Sequence, residues 1–516
     1  MGATLKYRHY SFWFGSLNDS LDLKNKSIKG GINTTASQFI SFFLNLVSTV
    51  VLARILLPND FGLIGMVTAF TGLANIIKDV GLSTAVIQKE VITPKEVSNL
   101  FWINLIICIG LALVFVLISP LIVAFYHYDN RIFYIVYSYS AGMAISGLGI
   151  QHNALLCRKM LFSQIAKANI FASILSVIFG IVAGLMGLGY WAIVILNMSN
   201  IIFNTLFVWI YCDWRPSFPS KKQRIHSYLK FGAGISGFNI INYFARYSDD
   251  MLIGNMLGPT AVGFYSKAYQ LLMLPINQLR NPLMTVAIPA ISKLKNEPIR
   301  FVNYYKRYVF ILAFFSMPII ACLAVFSKEV VIIILGHNWL ESSSIFKILA
   351  IAGFIQPVSS SSGLVMISMG KTKKFFIVGC ASSLVIVLGF IIGIHWGVIG
   401  TAVSFAITTY LILIPVLIYS FRDTPLKISH FFEEISSPIL HTMFLGGLLM
   451  GFKFIFTMFF DSTIVFLIAS PIGFALYYLS WFPLKSDRSK LMQINELIGI
   501  ILSKVRLRER LRFLGI

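Results

Sequence analysis

Charge is scarce in this sequence. Lysine, arginine, aspartate and glutamate make up 12% of its 516 residues, against roughly 25% in ordinary soluble domains, while 57% are hydrophobic. A chain so poor in charge cannot clothe a water-soluble surface. Acids are scarcer still, 20 against 42 basic residues, for a net charge of +22. Cys108, Cys157, Cys212, Cys322 and Cys380 are scattered and odd in number, which argues against a disulfide framework or a cysteine metal site. The eight histidines show no metal-ligand spacing, so no resident cofactor is expected. The first thirty residues lack a clean apolar core, and no cleavable signal is expected.

What the sequence has instead is apolar runs of about 20 residues, long enough to cross a hydrocarbon core of about 30 Å as a helix. Residues 30–53 carry no charge, and 97–130 carry only His127 and Asp129. Turn and charge signals divide the chain into about fourteen spans, at 32–53, 61–78, 100–123, 132–156, 165–185, 189–211, 229–256, 261–290, 304–327, 342–369, 375–394, 397–420, 436–459 and 462–482. With the N-terminus in the cytoplasm, 34 of the 42 basic residues fall in or beside cytoplasmic segments, and Arg54, Arg131 and Lys328 fall in exterior loops. That asymmetry predicts an even number of spans with both termini inside. It also explains the basic balance by an anionic inner leaflet, without nucleic acid.

The fold class expected is therefore an all-α polytopic membrane protein of about 14 transmembrane helices. A weak internal repeat divides it. "VLARILLPNDFG" (51–62) and "LIGNMLGPTAVG" (252–263) align Leu56 with Leu257, Pro58 with Pro259 and Gly62 with Gly263. "GLGYWA" (187–192) echoes "VIGTAV" (398–403). Repeats running in the same membrane direction, six spans apart, predict two pseudo-symmetric six-helix lobes related by an axis along the membrane normal. The organisation expected is a tail at 1–30, an N-lobe at 31–211, a linker at 212–228, a C-lobe at 229–420, two extra helices at 436–482 and a basic amphipathic tail at 485–516. In that tail Arg506, Arg508, Arg510 and Arg512 interleave with Leu507, Leu511 and Phe513, the pattern of an interfacial helix.

Ionisable residues inside spans are functional candidates, because each is costly unless it faces protein or water. Arg246, Asp249 and Asp250 stand at i,i+3 and i,i+4, so Arg246 can pair with either carboxylate. The pair either locks its helix in place or leaves one carboxylate to take up a proton or Na⁺. Lys267 and Arg280 lie in the eighth span. Lys347 and Lys453 lie near span ends, where long side chains snorkel. Tyr243, Tyr247, Tyr265 and Tyr269 can stack on sugar faces or pack at the lipid interface. Pro275, Pro282 and Pro289 mark bending points.

Nine stretches carry a resemblance. They are "LARILLPNDFGLIGM" (52–66), "DVGLSTAVIQKE" (79–90), "LFWIN" (100–104), "SPLIVAFY" (119–126), "ALLCRKMLF" (154–162), "WRPSF" (214–218), "DDMLIGNMLGPTAVGFYSKAYQLLMLP" (249–275), "IPAISKL" (288–294) and "ILGHNWLES" (334–342). In order, over about residues 23 to 420, they resemble the bacterial polysaccharide flippases. These Wzx-type translocators of lipid-linked oligosaccharides belong to the multidrug/oligosaccharidyl-lipid/polysaccharide exporter superfamily, and the branch is the one similar to the colanic acid exporter. The resemblance implies a V of two six-helix lobes around a central cavity, with two further helices forming a lipid-tail groove. It implies undecaprenyl-diphosphate-linked oligosaccharide as cargo, membrane lipids as surroundings, a polysaccharide polymerase as partner, and a monomer in the bacterial inner membrane. Arg54, Lys267, Arg280 and Arg246 are then candidates for the diphosphate, with Gln270, Tyr265 and Tyr269 beside them. Arg280 serves equally as an interfacial anchor. Asp249, Asp250 and Asp60 are candidates for proton or Na⁺ coupling.

An enzyme is not expected. The exterior loops are short, and Asp60, Asp129, Glu329, Glu341 and Asp461 are isolated. "GLVMISMGKT" (363–372) has six residues between its glycines where a phosphate-binding loop has four. The rival reading is a cation-coupled multidrug antiporter of the same superfamily, in which a membrane acid such as Asp250 would serve.

Overall fold

The computed structural model describes residues 13, 20–78, 81–89, 92–127, 129–219, 243–244, 246–483, 485, 487–492 and 494–496. Within a bilayer, backbone N–H and C=O groups must find partners inside their own segment, which leaves helices as the economical solution. The described residues are helical nearly throughout and contain no strand. Among the described residues, ten segments are long and apolar enough to cross a membrane, and a bent helix pair makes up to eleven. One of the ten, 372–421, itself contains two long helices. The protein is a multi-pass membrane protein.

The chain forms two compact units, 1–266 with 334–339, and 267–333 with 340–516. The first holds α1 (Ser20–Ile55), α2 (Pro58–Ile77), α3 (Leu82–Gln88), α4 (Pro94–Phe125), α5 (Arg131–Gly147), α6 (Ile150–Arg158), α7 (Phe162–Leu185) and α8 (Trp191–Tyr211). It also holds α9 (246–257) and the first eight residues of α10 (Pro259–Lys293). The second holds the rest of α10, then α11 (Pro298–Val325), α12 (Ser327–Ile334), α13 (Leu340–Ser359), α14 (Ser361–Ser368), α15 (Thr372–Gly393), α16 (Gly397–Phe421), α17 (Ile428–Phe456) and α18 (Ser462–Ser480). The expected linker beyond residue 219, most of the seventh span before 246 and the tail from 497 lie outside the described residues.

Several elements differ from the sequence expectation. The single span expected at 132–156 is two helices, α5 and α6, bent by 40° at Leu148 and Gly149. α10 is not among the apolar segments, because Lys267, Gln270, Asn277, Gln278, Arg280 and Asn281 lower its hydropathy. Lys453 does not snorkel. Its Nζ lies 2.8 Å from the buried Glu329 carboxylate and donates to the Val325 carbonyl at 2.9 Å, a pairing that a charge in hydrocarbon needs.

α4 shows how lipid and protein faces are sorted. Leu113, Leu117 and Leu121 are exposed at four-residue spacing, while Asn104, Cys108, Ala112 and Ser119 are buried on the other side. Large apolar side chains meet lipid, and small or weakly polar ones let neighbours close in. Its start is fixed by a capping box. Glu96 N–H donates to Thr93 Oγ1, the Thr93 N–H donates to Glu96 Oε2 at 2.9 Å, and Pro94 occupies the first turn. Within the unit, α7 packs along α1 and α8, and α4 along α5. Arg158, almost fully buried, donates to the Val86 and Lys89 carbonyls and so ties α6 to the end of α3. Ser217 accepts from Trp102 Nε1 at 2.9 Å through its carbonyl and donates its own N–H to Ser98 at 3.0 Å.

The two repeat motifs meet. A Cβ on Gly62 would overlap the Pro259 carbonyl oxygen, and a Cβ on Gly263 would overlap the Pro58 carbonyl oxygen. The first turns of α2 and α10 therefore cross reciprocally, backbone on backbone. Trp339 caps the crossing: it is fully buried, donates Nε1–H to the Ala53 carbonyl at 2.8 Å, and meets the Phe61 and Phe264 rings edge-on at 5.3 and 6.1 Å.

In the second unit α11 packs on α13 and α17, and α16 on α13 and α15. Phe301, Tyr305, Leu312, Leu417, Phe421 and Phe431 form the centre of its core. Asp487 accepts from Ser437 at 2.8 Å and faces the His441 ring at 3.3 Å, tying the start of the C-terminal segment to α17.

Gly62→Ala and Gly263→Ala are each expected to destabilise the protein by about 1–3 kcal/mol, since only a shift of whole helices makes room for the methyl. Gly110→Ala, with nothing within 4 Å of its Cβ, is the control expected to be neutral or stabilising. Thermal unfolding in detergent checks both.

Candidate functional site

The first unit holds an open-sided cavity of about 740 Å³ into which polar residues from three helices project. The C-terminal half of α2 contributes Thr68, Asn75 and Lys78, α5 contributes Tyr139 and Ser146, and α8 contributes Asn197 and Asn200. Tyr243, Arg246 and Tyr247 close it from the start of α9. Thr68 and Thr71 turn their hydroxyls back to the Gly65 and Val67 carbonyls at 3.0 and 3.1 Å, so both are satisfied within the helix. Lys78 Nζ donates to Asn75 Oδ1 one turn earlier at 3.0 Å. The Tyr243 hydroxyl donates to the Thr68 carbonyl at 2.6 Å, its ring lying over Gly72. The Tyr243 and Tyr247 ring centroids lie 4.4 Å apart, the planes tilted by 32°.

Among the described residues no acid lines this cavity, and Lys78 and Arg246 give it positive charge. Arg246 makes no ion pair with the described residues, and its side chain is exposed. The spacing allows a pair with Asp249 or Asp250, yet the side chains part: Asp249 is buried at 6% exposure. Its Oδ1 accepts the Asp250 N–H at 2.9 Å, and the Tyr265 hydroxyl lies within hydrogen-bonding reach. Asp250 stands close enough to Tyr126 and Tyr243 to interact through charge, and its Oδ1 has no hydrogen-bond partner among the described residues. A buried carboxylate oxygen without a donor is a place for a proton or a small cation.

The structure distributes the other candidates. Arg54 is exposed in the last turn of α1, beside Gly336. Asp60 accepts the Leu57 N–H at 3.1 Å as part of the α2 cap, which gives that carboxylate a structural task. Tyr265 is buried in the first unit. Lys267 begins the second unit's share of α10 and donates to Gln270 Oε1 at 2.9 Å. Tyr269 meets Phe405 edge-on at 5.9 Å. Arg280 donates to Asn277 at 3.0 Å. Arg246 thus joins the cavity, Asp249 and Asp250 stand just beyond it, and Arg54 and Lys267 fall in different units.

Sequence reasoning singled out charges and passed over the amides Asn75, Asn197 and Asn200, Lys78 and Tyr139. A signal existed: asparagines at 197, 200 and 204 mark one face of an otherwise apolar run.

Tyr243→Phe is expected to cost about 1 kcal/mol of stability, because it leaves the Thr68 carbonyl without its donor. Arg246→Gln is expected to stay within about 0.5 kcal/mol of the parent. Denaturation midpoints of the purified variants decide.

Comparison with known proteins gives the context. The family model described as "Polysaccharide biosynthesis protein" matches residues 51–344. The teichuronic acid biosynthesis protein TuaB of Bacillus subtilis (strain 168) is 27% identical over 443 residues, covering 83% of this chain and 89% of that protein. The lipopolysaccharide biosynthesis protein WzxC of Escherichia coli (strain K12) is 24% identical over 424 residues, covering 78% and 84%. Among solved structures, the lipid II flippase MurJ in its inward closed conformation superposes with a TM-score of 0.70 at 17% identity, covering 87% of this chain and 97% of that one.

Proposed function

From the chain's membership of the polysaccharide biosynthesis protein family, we propose that it is a flippase for lipid-linked oligosaccharides. The cargo is an oligosaccharide repeat unit on undecaprenyl diphosphate, carried from the cytoplasmic to the outer leaflet of the bacterial inner membrane by alternating access. It feeds assembly of an O antigen, capsule or exopolysaccharide, with a polymerase as the next consumer. The protein acts as a monomer with both termini in the cytoplasm.

The observation that carries this reading is the 740 Å³ cavity, positively charged and lined in part by polar residues, inside a unit otherwise sorted for lipid. A sugar diphosphate needs a wet path with cations along it. Arg246 supplies a planar fork of donors and Lys78 a compact charge. With the N-terminus in the cytoplasm, Lys78 stands at the cytoplasmic end of α2, where a cargo made in the cytoplasm first arrives. Lys267, Arg54 and Arg280 are further candidate cations for the diphosphate, and Gln270 and Tyr269 are candidates for the sugars, whereas Tyr265 is buried and serves Asp249 instead. The cavity's sign also speaks against the antiporter alternative, because a cationic drug would meet Lys78 and Arg246 with no acid among the described lining residues. Asp249 and Asp250 supply coupling to a proton or Na⁺ gradient. Asp60, held in a helix cap, is the weakest of the three acids for that task.

In cells whose polymer depends on this protein, Arg246→Gln, Lys78→Gln and Lys267→Gln are each expected to cut polymer output about tenfold or more at unchanged membrane abundance. That is the scale of one lost charge-assisted hydrogen bond, about 1.5–3 kcal/mol. Normal output from all three rejects the diphosphate assignment. For coupling, Asp250→Asn is expected to make transport in vesicles indifferent to collapse of the proton and Na⁺ gradients. Retained sensitivity excludes Asp250.

A further inference from the structure

α8 carries Asn197, Asn200 and Asn204 at i, i+3 and i+7, one stripe along one helical face. Each amide is held by its nitrogen. Asn197 Nδ2 donates to the Tyr139 hydroxyl at 2.7 Å, Asn200 Nδ2 to Ser176 Oγ at 3.3 Å, and Asn204 Nδ2 to Asn169 Oδ1 at 2.7 Å. Nitrogens committed in this way leave three Oδ1 atoms as acceptors, and none takes a donor from the described residues.

The three residues line space. Asn197 and Asn200 border the 740 Å³ cavity, and Asn200 and Asn204 border a second cavity of about 300 Å³ between α1, α7 and α8. Asn200 is common to both. Among the described residues the second cavity has no charged lining residue, and its lining is rich in hydroxyls and amides such as Gln38, Ser41 and Ser173. From 197 to 204 the stripe runs about 10 Å along the helix axis.

Polar residues that merely glue helices together satisfy each other within the interface. Here half of each amide does so, and the other half has no donor among the described residues on a residue that lines a cavity. An acyl tail offers no donor to such a face, and a phosphate is repelled by a row of carbonyl oxygens. A neutral chain bearing many O–H donors fits it. We propose that the stripe is a saccharide-binding rail, which takes the uncharged sugars of the cargo while Lys78 and Arg246 hold the phosphate. This inference rests on the flippase reading and adds what the uncharged half of the site recognises.

The test uses full-length protein in proteoliposomes and two probes from producing cells: polyprenyl diphosphate carrying one sugar, and the same lipid carrying the full repeat unit. Asn200→Ala and Asn204→Ala are expected to lower the ratio of full-repeat to single-sugar transport about tenfold. Arg246→Gln is expected to lower both rates together and leave the ratio near that of the parent. Asn204→Ser, which keeps a hydroxyl near Asn169, is expected to recover at least half of the ratio, and Asn200→Ala alone decides if Asn204→Ala does not accumulate. An unchanged ratio in the asparagine variants overturns the rail and leaves the flippase reading standing. Parent protein that moves neither probe overturns the flippase reading, and the rail falls with it.

Discussion

Backbone contact between α2 and α10 governs the first unit. Neither Gly62 nor Gly263 has a side chain, so the Pro58 and Pro259 carbonyls lie where any Cβ would stand. In hydrocarbon there is no hydrophobic effect to draw helices together. Close approach supplies dispersion and weak Cα–H···O contacts instead, and small residues permit it. The reciprocity follows from the repeat: two equivalent segments, each starting with proline and carrying glycine four residues on, can cross only by treating each other alike. Around that point the rest finds its place. Trp339 fills the angle between the helices, and the end of α1 is held by its indole through Ala53.

The membrane class and the all-helical fold were legible because long apolar runs are a property of composition, and lipid rewards them directly; of about fourteen expected spans, the described residues show ten to eleven segments that pass as membrane-crossing. Helix faces were harder to assign. α4 is apolar all round, so hydrophobic periodicity says little; the inward face is marked by small and weakly polar residues such as Cys108, Ala112 and Ser119. The bend at 148–149 sits between Gly147 and Gly149, a hint that an apolar run conceals. Lys453 looked like a snorkelling lysine because its partner, Glu329, is more than a hundred residues away in the sequence and becomes a neighbour only on folding.

Charge drew attention in the sequence, and the site is only partly made of charge. Arg246 was visible and lines the cavity. Its spacing to Asp249 suggested a neutral pair, but side chains three residues apart share a face without having to meet. Arg246 ends exposed and Asp249 ends among Tyr265 and its own backbone. Asparagines are quieter in any pattern reading, since one amide in an apolar helix reads as packing. Only their joint placement along α8, with the nitrogens taken up by α5 and α7, gives them a collective character. Cations at one edge and neutral acceptors along another divide the cavity by chemistry, much as a sugar diphosphate is itself divided.

α10 holds three prolines, Pro275, Pro282 and Pro289, seven residues apart. Seven residues are close to two helical turns, so all three stand near one meridian of the rod. Each lacks the N–H that would have bonded four residues back, which releases the Leu271, Gln278 and Thr285 carbonyls along that same line. The helix is thereby compliant in one plane and stiff in the plane across it. A load on α10 would flex it the same way at three levels, as a slotted spring does, and the loosened carbonyls would offer water a ready foothold on the opening side.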